Sequence, residues 1–384
     1  MMRIIDGQRS AVIDLSAELL DTTSAPFEQS SVQACIVCSI HHRLASDSVR
    51  LKFAPLCLRM LPLVHSELPS LSRVSDVIMA LLSTAAQSQA AETKAAILSD
   101  MTRTLIEQAT LKAYFASATA VKMFCDILLS SIRNVATSTT TSRTIRCIVC
   151  DCTVAQQAFD SCDIFAALFS TVAQSASTVT HAEVCRVIVA LLRGRGSASC
   201  AWCNVGALSD AMRDICSAAD AHSCEAAAEL LGTLAAEMDK SVAEALRARG
   251  ELPGAIERIA TAAPSHWCRV MLLSAAYRFI LHVAEFRSSL CRPSVVRAAQ
   301  AAMMETKDDY ECGAVANAVG ELVRGHDVNK AAFSCEATCM GLMRMAEAAV
   351  EQVTVQVSFC FPFNPRCSRD TCASGHRLFD IQFT

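Results

Sequence analysis

"RARGELPGAIERIATAA" (residues 247–263) runs from a basic helix end through a glycine turn into a new apolar helix. "CNVGALSDAMRDICSAA" (residues 203–219) has nearly the same outline. The two stretches are either helices of an ordinary helical domain or two copies of one structural unit. Superposing them sets Gly206 on Gly250, 44 residues away. Steps of 43 toward the N-terminus reach Asp163 before "IFAALFSTVAQS", Ala120 before "VKMFCDILLSS" and Val77 before "IMALLSTAAQS". Forward by 44, "SVVRAAQAAMME" opens at Ser294. Each is an apolar run of helical character that ends on polar residues.

A second run follows each first one. These are "SDMTRTLIE" from Ser99, "SRTIRCIVC" from Ser142, "CRVIVALLR" from Cys185, "AELLGTLAA" from Ala228, "LLSAAYRFI" from Leu272 and "ANAVGELVR" from Ala316, again 43 or 44 residues apart. "LCLRMLPLV" from Leu56 extends the series toward the N-terminus. Two features sharing one period identify a repeat. A period in the low forties with two or three helices is that of armadillo or HEAT arrays.

The "NVGAL" and "RGELPGAI" openings resemble an armadillo unit, in which a tight turn leads into the second helix. "SCEAAAELLGTLAAEM" (223–238) resembles that unit's long third helix. Gly206 and Gly250 are the expected turn residues, since glycine tolerates unusual backbone angles. Pro253 falls in a first helical turn, where a missing N–H costs nothing. The resemblance implies an all-α, armadillo-like right-handed α-solenoid of about seven units over residues 34–352, with HEAT-like two-helix units as an alternative in places. Residues 1–33 are expected to cap its first face, because a solenoid end lacks a neighbour. The helix 335–352 carries Met340, Leu342, Met343 and Met345, as terminal core or a partner site. "VTVQVSFCFPF" (353–363) alternates like a strand and opens an irregular tail, 353–384, either a cap or an added strand on another protein.

The composition fits many shallow helix–helix contacts. Hydrophobic residues make up 52% of the chain and aromatics only 5%, so Ala, Val, Leu, Ile, Met and Cys fill the core. The net charge of -4 gives no general reason to expect nucleic acid. Twenty-one cysteines, an odd number, cannot all pair within one chain. Many lie in apolar helical runs, where free cysteine acts as a small hydrophobe. A reducing intracellular compartment is expected, by default cytoplasmic, with a cytoskeletal or organellar complex as an alternative. The first twenty residues, with Asp6, Asp14 and Glu18, lack the apolar core of a secretory signal, and no membrane span is expected.

No catalytic set emerges, so no enzyme activity and no cofactor are expected. "HAEVC" (181–185) lacks the second histidine of a zinc-protease helix, and there is no GxSxG or dinucleotide fingerprint. The CxxC pairs Cys35/Cys38, Cys147/Cys150 and Cys200/Cys203 fall in different units; residues three apart on a helix share a face, so these read as small core residues. The compact set Cys360, Cys367, Cys372 and His376 is a weak zinc candidate, since zinc needs four converging ligands.

These observations indicate a noncatalytic scaffold or adaptor, as a fixed subunit of a hetero-oligomeric assembly. The alternatives are a transient peptide-binding transport or signalling adaptor, and a zinc- or redox-linked regulator acting through the tail cysteines. Arg103, Arg146, Arg186 and Arg278 each fall near the middle of a second run. On one face they would favour partners with acidic or phosphorylated segments; as separate outer-face charges they would only aid solubility. Nucleic acid is a poor fit, because Lys is sparse and no stacking aromatics accompany the arginines. Armadillo proteins of the import-receptor kind hold peptide backbones with asparagine; Asn317 is the one equivalent, and Phe359 and Phe361 are tail contacts.

Overall fold

The computed structural model describes residues 71–193, 205–217, 220–306 and 308–351. Among the described residues every regular element is a helix. The chain divides into two compact units between Leu191 and Leu192, where the sequence pattern predicts one array. The predicted N-terminal caps (1–33), the first unit's start and the tail (353–384) lie outside the described residues.

The first unit contains α1 (Leu71–Gln87), α2 (Ala91–Glu107), the 3-10 helix η1 (Ala109–Phe115), α3 (Ala118–Ser130), α4 (Val135–Val149), α5 (Thr153–Phe159), α6 (Cys162–Gln174) and α7 (Thr178–Leu192). Their order is a short, a second and a third helix, repeated. Like packs on like: second helices α1 on α3 and α3 on α6, and third helices α2 on α4. Third helices begin at Ala91, Val135 and Thr178, 44 and then 43 residues apart. Helix starts are set by side-chain caps. Ser117, Asn134 and Ser161 accept hydrogen bonds from the N–H groups of Ala120, Thr137 and Ile164, satisfying donors that the helix itself leaves open.

The second unit has α8 (Val205–Ser217), α9 (Ala221–Glu237), α10 (Lys240–Arg249), α11 (Leu252–Ala262), α12 (His266–His282), α13 (Phe286–Leu290), α14 (Pro293–Glu305), α15 (Asp309–Val323), α16 (Asp327–Phe333) and α17 (Glu336–Glu351). Second helices α8, α11, α14 and α17 pack in succession, as do third helices α9, α12 and α15. Asp220, Asp239, Ser265 and Asp308 cap four of these helices.

Each short helix buries a pair of residues four apart, Leu111 and Phe115, Ala155 and Phe159, Val242 and Leu246, Phe286 and Leu290, Asn329 and Phe333, and α10 buries Ala243 as well. One helical turn separates them, so both enter the same core. In the first unit Phe115, Phe124 and Phe159 stack through adjacent repeats, with ring centroids 6.5 and 5.8 Å apart. Truncating a buried ring of this kind to alanine typically costs about 3–5 kcal/mol.

The short helices vary in length, from five residues in α13 to ten in α10. The buried faces of successive second helices recur every 43 or 44 residues whatever the length of the short helix between them, as in Phe124 and Leu168, Met212 and Ile256, and Ile256 and Ala299. The two expected turn glycines differ in conformation. Gly250 follows α10 with φ 74 and donates its N–H to the Arg247 carbonyl, a left-handed helix stop. Gly206 is the second residue of α8 and holds no such conformation. The shift of 44 residues superposes the buried faces of the two helices, Leu208, Ala211, Met212 and Ile215 on Leu252, Ala255, Ile256 and Ile259, so the two glycines hold equivalent places in different conformations. Pro253 stands in the first turn of α11, as its chemistry predicts.

Among the described residues no single helix is long and apolar enough to cross a membrane; η1 and α3 together pass by composition but are bent by 91°. Leu111, Phe115 and Phe124 of that pair are buried in the core.

Candidate partner-binding surface

Threonine and serine dictate how the third helices of the first unit meet. In α4 ("VATSTTTSRTIRCIV") Thr137, Ser138, Thr141, Ser142 and Thr144 are fully buried. A buried hydroxyl is tolerated only when bonded. Here Thr141 and Ser142 donate back to the carbonyls of Thr137 and Ser138 at 2.7 and 2.9 Å. Thr137 donates across to the Ala91 carbonyl of α2 at 2.9 Å. Thr102 and Thr144 share a hydrogen bond of 2.8 Å, and Thr139 and Thr180 one of 2.9 Å. Side chains this small let α2, α4 and α7 lie close together with fixed register.

That register brings three arginines to one acid. Glu183 of α7 is the only carboxylate in α4 or α7, and its side chain is 4% exposed. Its Oε1 accepts from Arg186 at 3.2 Å and from Arg143 across on α4 at 3.4 Å. Its Oε2 lies 3.3 Å from Arg146 Nε, in charge contact but without hydrogen-bond alignment. Burying a carboxylate is costly unless cations face it, which explains why all three guanidiniums converge. The arginines themselves remain 49%, 39% and 24% exposed for Arg143, Arg146 and Arg186. Each guanidinium has five N–H donors, and one carboxylate cannot use them all.

Of the predicted arginines, the structure therefore unites Arg146 and Arg186. Arg103, on α2, is exposed and paired with its own neighbour Asp100 at 3.4 Å. Arg278 is half-buried on α12 and Asn317 exposed on α15, both in the second unit. Arg143 and Glu183 were not among the predicted residues. The signal for Arg143 is the period itself, since Arg143 and Arg186 are 43 positions apart. Glu183 sits in "HAEVC", a stretch read only for its missing second histidine. The histidine that this stretch does contain closes the end of α6, where His181 Nε2 meets the carbonyls of Ser175 and Val172 at 2.8 and 3.2 Å. Two carbonyl partners require the proton on Nε2.

In the second unit, carboxylates and cations are matched more evenly. Glu321, buried, receives Arg287 at 2.8 Å and Arg324 at 3.0 Å. His266 lies between Glu311 (3.0 Å) and Glu305 (3.6 Å), and Arg269 also binds Glu305.

The described cysteines are free thiols. Cys125, Cys185, Cys216, Cys224, Cys268 and Cys312 are buried as the apolar runs predict. The Cys147/Cys150 pair departs from that expectation: Cys147 is half-buried and Cys150 exposed, because α4 ends at Val149 and Cys150 already leaves the helix. Among the described residues no group of three or more His, Cys, Asp or Glu is placed to hold a metal ion. The zinc candidates Cys360, Cys367, Cys372 and His376, and the tail contacts Phe359 and Phe361, lie outside the described residues. On α17, Met345 is buried in the core while Met340 and Met343 are exposed.

No family model matches the chain, and no curated protein matches it. Among solved structures the chain is similar to an engineered protein, with a TM-score of 0.44 and 13% identity over 89% of this chain and 90% of that one.

Proposed function

We propose that the chain is a noncatalytic protein-binding scaffold, an armadillo-like array of three-helix units serving as a subunit of a multiprotein assembly. The recurrence of a short, a second and a third helix supports the armadillo form over the two-helix HEAT form. The observation that carries the binding reading is the surplus of three guanidiniums over one carboxylate on adjacent third helices. Arginine held by a buried partner presents its remaining donors with little entropy left to lose, which suits acidic or phosphorylated protein segments.

The test is co-purification of the intact chain from cells, beside a variant carrying Arg143→Glu and Arg186→Glu with unchanged helix content. A subunit of an assembly is expected to bring down partners in fixed stoichiometry that survive dilution, and to lose them in the variant. Recovery of both proteins alone would refute the reading. Partners that dissociate reversibly with rising salt would favour the transient adaptor instead, since exposed charge contacts are screened.

A further inference from the structure

We propose that Arg143, Arg146 and Arg186 form a receptor for a single dianionic phosphate group on a peptide segment of a partner protein, with Glu183 as its internal strut. The inference rests on the partner-binding reading above and narrows its ligand. Charge balance leads to it. Three guanidiniums against one carboxylate leave two positive charges in excess within α4 and α7. A phosphorylated side chain carries about -1.5 to -2 at neutral pH, whereas one carboxylate supplies only -1.

Geometry agrees. Arg143 and Arg186 both direct an Nη group to the same oxygen, Glu183 Oε1. Arg146 approaches the other oxygen through its buried Nε, so its outer Nη groups take no part in that contact. The strut engages one nitrogen of each of three guanidiniums from two helices and leaves their remaining nitrogens for another anion. Planar forks meeting at one point match the several oxygens of a phosphate better than the two of a carboxylate.

The cations form a point and not a track. Neither α4 nor α7 contains another Lys or Arg, and Arg103 on α2 is answered by Asp100. Nucleic acids are gripped by successive phosphate contacts and by aromatic stacking. Neither α4 nor α7 carries an aromatic residue. A lone phosphate on a polypeptide is the better match.

The experiment uses the full chain and fluorescently labelled Gly/Ser-rich peptides bearing one phosphoserine, one glutamate or one unmodified serine. The phosphoserine peptide is expected to bind about tenfold or more tighter than the glutamate peptide, with inorganic phosphate competing. Arg143→Gln and Arg186→Gln should each weaken it by about tenfold, Arg186→Lys should restore only part of the loss, and Arg103→Gln should have no effect. The urea midpoints of the variants establish that each is folded. Equal binding of the glutamate and phosphoserine peptides would overturn phosphate selectivity while leaving the acidic-partner reading intact. No binding of either peptide would overturn the receptor, and the co-purification result then decides the scaffold reading separately. Tighter binding of a single-stranded oligonucleotide, or an equal loss in Arg103→Gln, would also overturn it.

Discussion

Thr102 and Thr144, 42 positions apart, hold their hydroxyl oxygens 2.8 Å apart in the buried space between α2 and α4. Thr102 Oγ1 also lies 2.9 Å from the Leu98 carbonyl, and Thr144 Oγ1 2.8 Å from the Thr140 carbonyl. With one proton on each hydroxyl, one of them donates across to its neighbour and the other to its own carbonyl. Each hydroxyl therefore keeps a local partner when the other is removed. Thr102→Val and Thr144→Val are each expected to cost about 1 kcal/mol, the usual worth of one buried hydrogen bond. The double variant should cost less than the sum, because both changes remove the shared bond. Urea unfolding of the four proteins gives the coupling; strict additivity would show that the two hydroxyls do not interact.

Asn329 occupies an inward position that Leu111, Ala155, Val242 and Phe286 fill in the other short helices. It is 3% exposed, and its Nδ2 donates to the carbonyls of Arg287 at 2.9 Å and Leu322 at 2.7 Å. Asn329→Leu restores the apolar pattern yet strands two carbonyls. It is expected to destabilise the chain by roughly 2–3 kcal/mol, from two lost bonds of about 1 kcal/mol and added desolvation. An unchanged urea midpoint would mean that water replaces the amide at both carbonyls.

The glycines of the opening stretch make opposite forecasts. At Gly250, φ 74 disfavours any Cβ although nothing lies within 4 Å, so Gly250→Ala should cost about 1 kcal/mol. Gly254 is helical, and an added Cβ would meet only the end of the Arg258 side chain at 3.8 Å. Gly254→Ala should raise stability by up to about 1 kcal/mol through helix propensity. Two thermal or urea curves suffice, and a stabilising Gly250→Ala would refute the assigned turn.

How much of this was legible follows from helix length. Third helices of 15 or 17 residues bury enough of one face to show a period, so the runs from Ala228 and Leu272 lie within such helices and those from Ser142 and Cys185 overrun theirs by one residue. The short helices were not legible. Five to ten residues with two or three buried positions, such as Phe286 and Leu290, give no periodicity to detect. The arginine cluster was half legible: Arg146 and Arg186 stood out as cations in apolar runs. Their common carboxylate did not, because Glu183 lies on α7, three helices after the α4 that carries Arg146, and only the register of α4 on α7 joins them. Burial of Cys125 could be read from its apolar run, whereas exposure of Cys150 depended on where α4 stops.

The buried thiols predict an alkaline limit to stability. Burial pushes Cys216 and Cys268 up to about 12, and Cys125 and Cys224 up to about 11, from an ordinary value of 9.0. Below about pH 9 these groups are protonated in both folded and unfolded chains and add no pH dependence. Between about 9 and 11–12 the unfolded chain releases protons that the folded chain keeps, so unfolding becomes more favourable as pH rises. The urea midpoint should therefore fall from about pH 9 upward. Lysine and tyrosine also titrate in this range, and the comparison that isolates the thiols is Cys216→Ala with Cys268→Ala. That variant starts less stable, from the lost packing, but its midpoint should decline less steeply between pH 9 and pH 11. Parallel curves for the two proteins would rule out the thiols as the source of the alkaline loss.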